Sequence, residues 1–250
     1  MLPKSELKYI QSLNHKKFRQ EYGHFVAEGP KLVQELLARQ PDLLHKLFAT
    51  NEWYKRQEPG VIAVIGNRFQ LVEAFELEKI SNLQNAQDVL AIVNIPLPAK
   101  AAAADLSQPA WKLALDGIQD PGNMGTIIRT AHWFGIENVI CSLDCADVFS
   151  PKVVQSSMGS IFGVNVIYTD LADDLAENKL PVYGALLKGE SVRKKHEYAK
   201  GIILIGNEGQ GIRPALVPYI DHPVTVPGIG DAESLNAAVA AGILLYSFTH

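Results

Sequence analysis

The sequence predicts an α/β protein in two parts: a small N-terminal α/β domain over residues 1–96, and a C-terminal domain over residues 109–250 built on a mostly parallel sheet. Three observations predict it. Beyond residue 109, short apolar runs alternate with helix-like runs, which implies parallel strands with helices on both faces. Between the parts, IPLPAKAAAADLSQP carries three prolines and an alanine run. It reads as a connector over 97–108, because proline fixes φ and removes a donor. Finally, 250 residues at 47% hydrophobic and 20% charged have ordinary globular composition and enough apolar side chains for a sizeable core.

Each element has its own signal. Apolar spacing makes Lys4–Gln20 helical. Pro30, at a first-turn position where its missing N–H costs nothing, starts a helix through Arg39. A strand near Lys46–Ala49 and β-branched runs at Val61–Ile65 and Asp88–Asn94 complete the N-terminal part. In the C-terminal part the expected strands are Lys112–Ile118, Asn138–Leu143, Val164–Tyr168, Val182–Leu187, Gly201–Ile205 and Pro223–Val226. The expected helices are Thr126–Phe134, Pro151–Phe162 with Ser150 as N-cap, and Leu235–Phe248 with Ser234 as N-cap.

Several classes are disfavoured at once. No apolar stretch reaches the roughly 18 residues of a membrane span, and MLPKSELKYIQSL lacks the apolar core of a signal peptide. A cytoplasmic protein is expected. Cys141 and Cys145 match no metal spacing and read as core thiols, so no metal is expected. A net charge of −4 argues against a nonspecific nucleic-acid coat. A local basic run remains: Lys4, Lys8, Lys16, Lys17 and Arg19, opposed in that span only by Glu6. By itself it reads as a solvated helix face.

Three loops at strand ends hold the chemistry-bearing residues, and ligands of parallel sheets gather beyond the carboxyl ends of strands. In DPGNMGTIIRTAHWFG, Asn123 can cap a helix, Gly125 lets a ligand approach the backbone, and Arg129 lies about 240° around the helix from Asn123. In ILIGNEGQGI the glycines fall as G-x-x-G-x-G. That is neither the dinucleotide fingerprint nor a phosphate loop. Glu208 would repel a phosphate, so backbone amides beside a carboxylate suit a neutral or cationic ligand. In VPGIGDAESLNAAVAAG, Asn236 opens a helix that is apolar nearly all round, and such a helix is buried within the domain or against a second subunit. Taken singly, these loops also read as a helix cap with a surface arginine, a glycine turn with a solvated glutamate, and an asparagine serving a nearby backbone group.

Together they are more specific. NMGTIIR, LIGNEGQGI and VPGIGDAESLN resemble, in order and spacing, the three motifs of the SpoU (TrmH-like) RNA ribose 2′-O-methyltransferases of the SPOUT superfamily. The likeness extends through SPKVVQSSMGSIFGVNV and covers residues 110–250. YGHFVAEGPKLVQELL is similar to the ribosomal-protein-like substrate-binding domain that often precedes this catalytic domain. Gly228 departs from the third motif, which usually has a larger apolar residue there.

The resemblance implies a SPOUT domain with a deep trefoil knot, a homodimer, and S-adenosylmethionine as cofactor. It places cofactor contacts at Gly206, Asn207, Gly211, Val226, Gly230 and Leu235, mostly through backbone groups, with Leu186 and Leu187 on a further loop. Asn123, Arg129, Glu208, Ser234 and Asn236 fall on the active centre. Arg129 is the family's proposed base. An arginine stays charged, so the implied role is to position the ribose hydroxyl and stabilise its developing oxyanion, with Glu208 orienting Arg129 or Asn123. Lys16, Lys17, Arg19 and Arg129 become RNA contacts, while Arg193-Lys194-Lys195 reads first as a solvated loop. Ribosomal RNA is the preferred substrate and transfer RNA the second. The alternatives are an inactive RNA-binding or ribosome-assembly protein on the same fold and, more weakly, a nicotinamide-dependent oxidoreductase.

Overall fold

The structure, a computed structural model, describes residues 1–96, 110–192, 199–207 and 209–249. The chain begins with α1 (Lys4–Ser12), α2 (Lys16–Tyr22), β1 (His24–Glu28), α3 (Pro30–Arg39) and β2 (Leu44–Ala49). There follow α4 (Asn51–Lys55), α5 (Pro59–Ile65), β3 (Phe69–Leu71), α6 (Ala74–Ile80) and β4 (Val89–Asn94). The second half runs β5 (Lys112–Leu115), α7 (Pro121–Trp133), β6 (Asn138–Ser142), α8 (Pro151–Ser157), β7 (Asn165–Thr169) and α9 (Leu171–Glu177). It ends with β8 (Val182–Ser191), β9 (Ile202–Ile205), β10 (His222–Thr225) and α10 (Ala237–Thr249). Two compact units result: Met1–Leu97 with Asp147–Phe162, and Pro98–Ala146 with Gly163–His250. The expected connector 97–108 lies outside the described residues, as does Arg193–Lys195.

In the first unit the sheet order is β1-β4-β2-β3, with β4 antiparallel to both neighbours and β2 parallel to β3. Central β4 is buried from Val89 to Val93 because both its faces are covered. Ile10 and Leu13, Leu77 and Ile80 of α6, and Phe48, Leu90 and Ile92 form one apolar cluster. Each such side chain contributes about 1.5–3 kcal/mol on leaving water.

Two elements differ from the sequence pattern. The single helix over Lys4–Gln20 breaks after Ser12: Arg19 folds back from α2 and donates to the carbonyls of Leu13 and Asn14 at 2.8 and 2.9 Å. A guanidinium thus takes the place of the next turn's N–H groups. Val61–Ile65 is the body of α5 rather than a strand. Pro59 occupies its first turn and Gly66 (φ +57) ends it, so tertiary context overrides the β-branched propensity. The first unit's sheet instead gains β1 and β3, which apolar periodicity did not reveal.

The expected continuous unit over 109–250 is interrupted, because residues 147–162 pack into the first unit. Phe149 and Phe162 flank Phe25 of β1 at ring-centroid distances of 4.9 and 6.3 Å. Arg19 donates to Asp147 Oδ2 at 2.6 Å, with its side chain only 4% exposed. Arg19 is therefore corrected from an RNA contact to a buried tie, since its charge does not reach solvent. Lys16 and Lys17 are exposed. The helix from Pro151 stops at Ser157, short of Phe162, because Met158 (φ +52) and Gly159 (φ +94) turn left-handed. Ser150 holds the N-cap position without a side-chain cap bond.

The second unit is a six-stranded sheet of order β10-β8-β9-β5-β6-β7, parallel at every pairing. Strands β5, β6 and β9 are buried throughout, as continuous apolar runs covered on both faces should be. No described helix is long and apolar enough to cross a membrane.

Candidate active site

Because β10, β8, β9 and β5 lie side by side and parallel, the segments leaving their carboxyl ends gather along one edge of the sheet. These are the segments that the sequence singled out.

After β5, Gly117 (φ +68) turns the chain. Asp120 Oδ1 accepts the Asn123 N–H at 2.8 Å, and Pro121 sits in the first turn of α7. The cap is thus Asp120, not Asn123, and the helix starts at Pro121 rather than Thr126. Asn123 Oδ1 instead accepts from Asn236 Nδ2 at 3.0 Å. Asn236 is itself the cap of α10, accepting the N–H groups of Ala238 (2.9 Å) and Val239 (3.2 Å). Its oxygen is committed to capping, so only its NH2 can face Asn123, and both amides are oriented by this. Ser234, expected as the cap, stands exposed just upstream, and α10 begins at Ala237. Arg129 is exposed on α7; no described residue hydrogen-bonds or ion-pairs its guanidinium.

After β9 the loop closes on itself. Asn207 N donates to Gly211 O at 3.1 Å, and Gly211 N donates to Asn207 O at 2.8 Å. A Cβ on Gly206 would lie 2.1 Å from Gly211 C and 2.3 Å from Ile212 N, so closure of the loop requires glycine there. Asn207 Nδ2 donates to Gly117 O at 2.8 Å, while Oδ1 accepts from Gly209 N (2.8 Å) and Gln210 N (3.2 Å). The Asn207 amide therefore ties this loop to the end of β5. Glu208 lies outside the described residues.

Strand β8 is irregular where Leu186 and Leu187 fall. Adjacent Pro223 and Val224 of β10 pair with Gly184 and Glu190, so residues 185–189 leave the ladder. Thr225 Oγ1 donates to Leu187 O at 3.3 Å, tying this excursion to the start of the third loop. Val226 is half-buried, and Gly228 and Gly230 are exposed with nothing within 4 Å of an added Cβ. Leu187, Ile229 and Leu235 present 79%, 89% and 45% of their surface, leaving apolar area open around these loops.

The structure also assigns residues that sequence reasoning passed over. Asp116, 1% exposed, accepts from Arg213 N at 2.8 Å and from its Nε at 2.5 Å, while Arg213 reaches Asp144 Oδ1 at 3.3 Å. They line a polar pocket of about 100 Å³ together with Gly117, Asn207 and Gly211. The hydrogen bond from Ser142 holds the Asp144 carboxyl below its usual value, and the bond to Asp116 raises Arg213. The signal was an acid closing the apolar run WKLALD. Beneath it, Cys145 Sγ accepts from Ile118 N at 3.3 Å. The Cys141 hydrogen bond, with others from Ser142, Ile118 and Gly117, brings the Cys145 thiol down to about 7 against the effect of burial. Burial pushes Cys141 up.

Comparison with known proteins places the chain. Residues 110–246 match the SpoU rRNA Methylase family, and residues 4–91 match an MRM3-like substrate binding domain. The 23S rRNA (guanosine(2553)-2′-O)-methyltransferase RlmP of Bacillus subtilis is 31% identical over 245 residues, covering 96% of this chain and 94% of that protein. A TrmH-family structure from Porphyromonas gingivalis superposes with a TM-score of 0.85 at 34% identity, over 99% of this chain and 98% of that one. The AdoMet-bound rRNA methyltransferase from Sinorhizobium meliloti gives 0.84 at 29% identity, over 99% and 95%. With both its halves matched and its motif loops gathered at one sheet edge, the chain belongs to the SpoU rRNA methylase family.

Proposed function

We propose that the chain transfers a methyl group from S-adenosylmethionine to a ribose 2′-hydroxyl of RNA, ribosomal RNA ahead of transfer RNA. The observation that carries this is the Asn236–Asn123 hydrogen bond, which joins the first and third motif loops beside the sheet edge where Asn207 pins the second. The names of the relatives, an rRNA 2′-O-methyltransferase and an AdoMet-bound rRNA methyltransferase, support the substrate and the cofactor.

The loops suit that cofactor. Exposed Leu187, Ile229 and Leu235 offer apolar surface to an adenine ring, and Gly228 and Gly230 leave their backbone approachable. Asp231 and Glu233, both exposed on the third loop, carry the sign that attracts a sulfonium, and Lys188 carries the sign that attracts a carboxylate. Gly206, Asn207, Gly211, Val226, Gly230 and Leu235, with Leu186 and Leu187, would hold it mainly through backbone groups. When bound, S-adenosylmethionine supplies an electrophilic methyl carbon on sulfur.

The chain's own groups do the rest. Asn123, oriented by Asn236, donates to the target ribose. Arg129 binds the adjoining phosphate and the 2′-oxygen, stabilising negative charge as the hydroxyl proton passes through that phosphate to solvent water. Glu208 orients Arg129 or Asn123, and Ser234 completes the hydrogen-bond network. Alignment of oxygen, methyl carbon and sulfur is worth about 7–11 kcal/mol in favourable systems. The same reading includes the trefoil knot, a cytoplasmic location, and a homodimer. Exposed Trp133 of α7 and exposed Val239 and Tyr246 of α10 favour the dimer, since exposed apolar patches mark interaction surfaces.

Arg129→Ala tests the mechanism. It should keep S-adenosylmethionine binding by calorimetry and lose at least about tenfold, or about 1.4 kcal/mol, in transfer of tritiated methyl to RNA. Near wild-type transfer removes Arg129 from the reaction.

A further inference from the structure

The first unit carries a continuous ribbon of six rings. His15 meets Phe18 at 6.3 Å between centroids, Phe18 stacks on Tyr22 at 6.1 Å with planes 13° apart, and Tyr22 meets Tyr9 at 5.2 Å. Tyr9 then meets His24 at 6.2 Å, and His24 meets His45 at 4.1 Å. The rings come from α1, the start and body of α2, β1 and β2. These rings are not core: His15, Tyr22 and His45 are exposed, and Phe18, Tyr9 and His24 are half-buried.

The middle of the ribbon is neutral. Tyr9 Oη lies 2.6 Å from His24 Nδ1. Burial, then the neighbours Tyr22 and Glu6, push the Tyr9 phenol up to about 12, so it keeps its proton. Burial and then His45 lower His24. A protonated phenol facing a neutral imidazole donates to Nδ1, which places the histidine's proton on Nε2. Lysines accompany the ribbon along α1 and α2. Lys8, Lys16 and Lys17 are exposed, and Lys17 Nζ stands 5.8 Å from the Phe18 ring. Of the nearby acids, Glu6 pairs with Lys46, leaving Glu21 exposed on α2.

Flat rings that reach solvent in series, bordered by lysines, match one chemistry: bases stack on the rings while ammonium groups meet the phosphates. Duplex RNA keeps its bases paired and stacked on one another, so the ligand must be unpaired. We propose that this ribbon is a stacking platform for an unpaired stretch of the substrate RNA, with Lys16 and Lys17 on its phosphates. The inference rests on the methyltransferase reading for the identity of that RNA, and it adds which residues receive the bases.

The test uses the full chain and fluorescence anisotropy with a labelled oligouridylate, an oligoadenylate and a short RNA duplex. Tyr22→Ala and, separately, exposed His45→Ala should each weaken both single strands at least about fivefold and leave the duplex unchanged. Tyr22→Phe should bind as wild type, because the ring suffices. Lys16→Gln should reduce the steepness of the fall of log affinity with log salt by about 0.7. Wild-type single-strand affinity in both alanine variants, or an equal loss on duplex, overturns the platform. S-adenosylmethionine affinity, read by calorimetry on the same samples, separates the two ideas. Its absence in wild-type protein condemns the methyl-transfer reading, while the anisotropy still decides the platform.

Discussion

Replacing Arg19 by alanine should cost the first unit about 3–5 kcal/mol, the range for removing one partner of a buried ion pair. The guanidinium makes three bonds at 2.6–2.9 Å, to Asp147 Oδ2 and the carbonyls of Leu13 and Asn14. Its loss strands two carbonyls at the α1–α2 break and leaves the Asp147 carboxylate, 18% exposed, facing an emptied site. A bond to a charged group is worth about 1.5–3 kcal/mol, and the three share one cation, so they do not add in full. Against a total stability of about 5–15 kcal/mol this is a large loss. Arg19→Lys should recover part of it, because one ammonium reaches fewer of the three acceptors. Urea titration followed by hydrogen exchange of the β1 and β4 amides measures it. In a double-mutant cycle, Arg19→Ala with Asp147→Ala should cost less than the sum of the singles. A loss below about 1 kcal/mol, or strict additivity, would refute the account of Arg19 as an internal tie.

Three further outcomes are expected. Asn236→Asp keeps an oxygen for capping α10 but loses the donor to Asn123, so methyl transfer should fall while the melting temperature holds; a parallel fall in both would point to capping alone. Gly206→Ala should open the loop over 206–212, because its Cβ would overlap the Gly211 backbone. S-adenosylmethionine affinity should then drop at least about tenfold, or about 1.4 kcal/mol, without loss of far-ultraviolet ellipticity. The Cys145 thiol stands at about 7 in the folded protein against an ordinary 9.0. A depressed acid adds stability that is complete above pH 9 and fades as pH falls toward 7. Stability of the second unit should therefore rise more steeply across that window in wild type than in Cys145→Ser, where only the opposing contribution of the raised Cys141 remains; equal slopes would remove the thiolate from the balance.

Much was readable from local pattern alone. Alternating apolar runs, glycines at strand ends and the order of three loops led to a parallel sheet and to the Asn123–Arg129 and Ser234–Asn236 regions, because side-chain periodicity and turn chemistry are properties of near neighbours in the chain. Pro30 and Arg39 even marked both ends of α3.

Contacts between residues far apart in sequence decided the remainder. Asp120 displaced Asn123 as a cap, which let Asn123 meet Asn236, 113 residues away. Arg19 met Asp147 across 128 residues and became interior rather than surface, taking residues 147–162 out of the expected catalytic block. Neither pairing has a local signature: a charged or amide side chain looks the same in the sequence whether solvent or a distant strand supplies its partner, and only the folded chain brings that partner within hydrogen-bond reach.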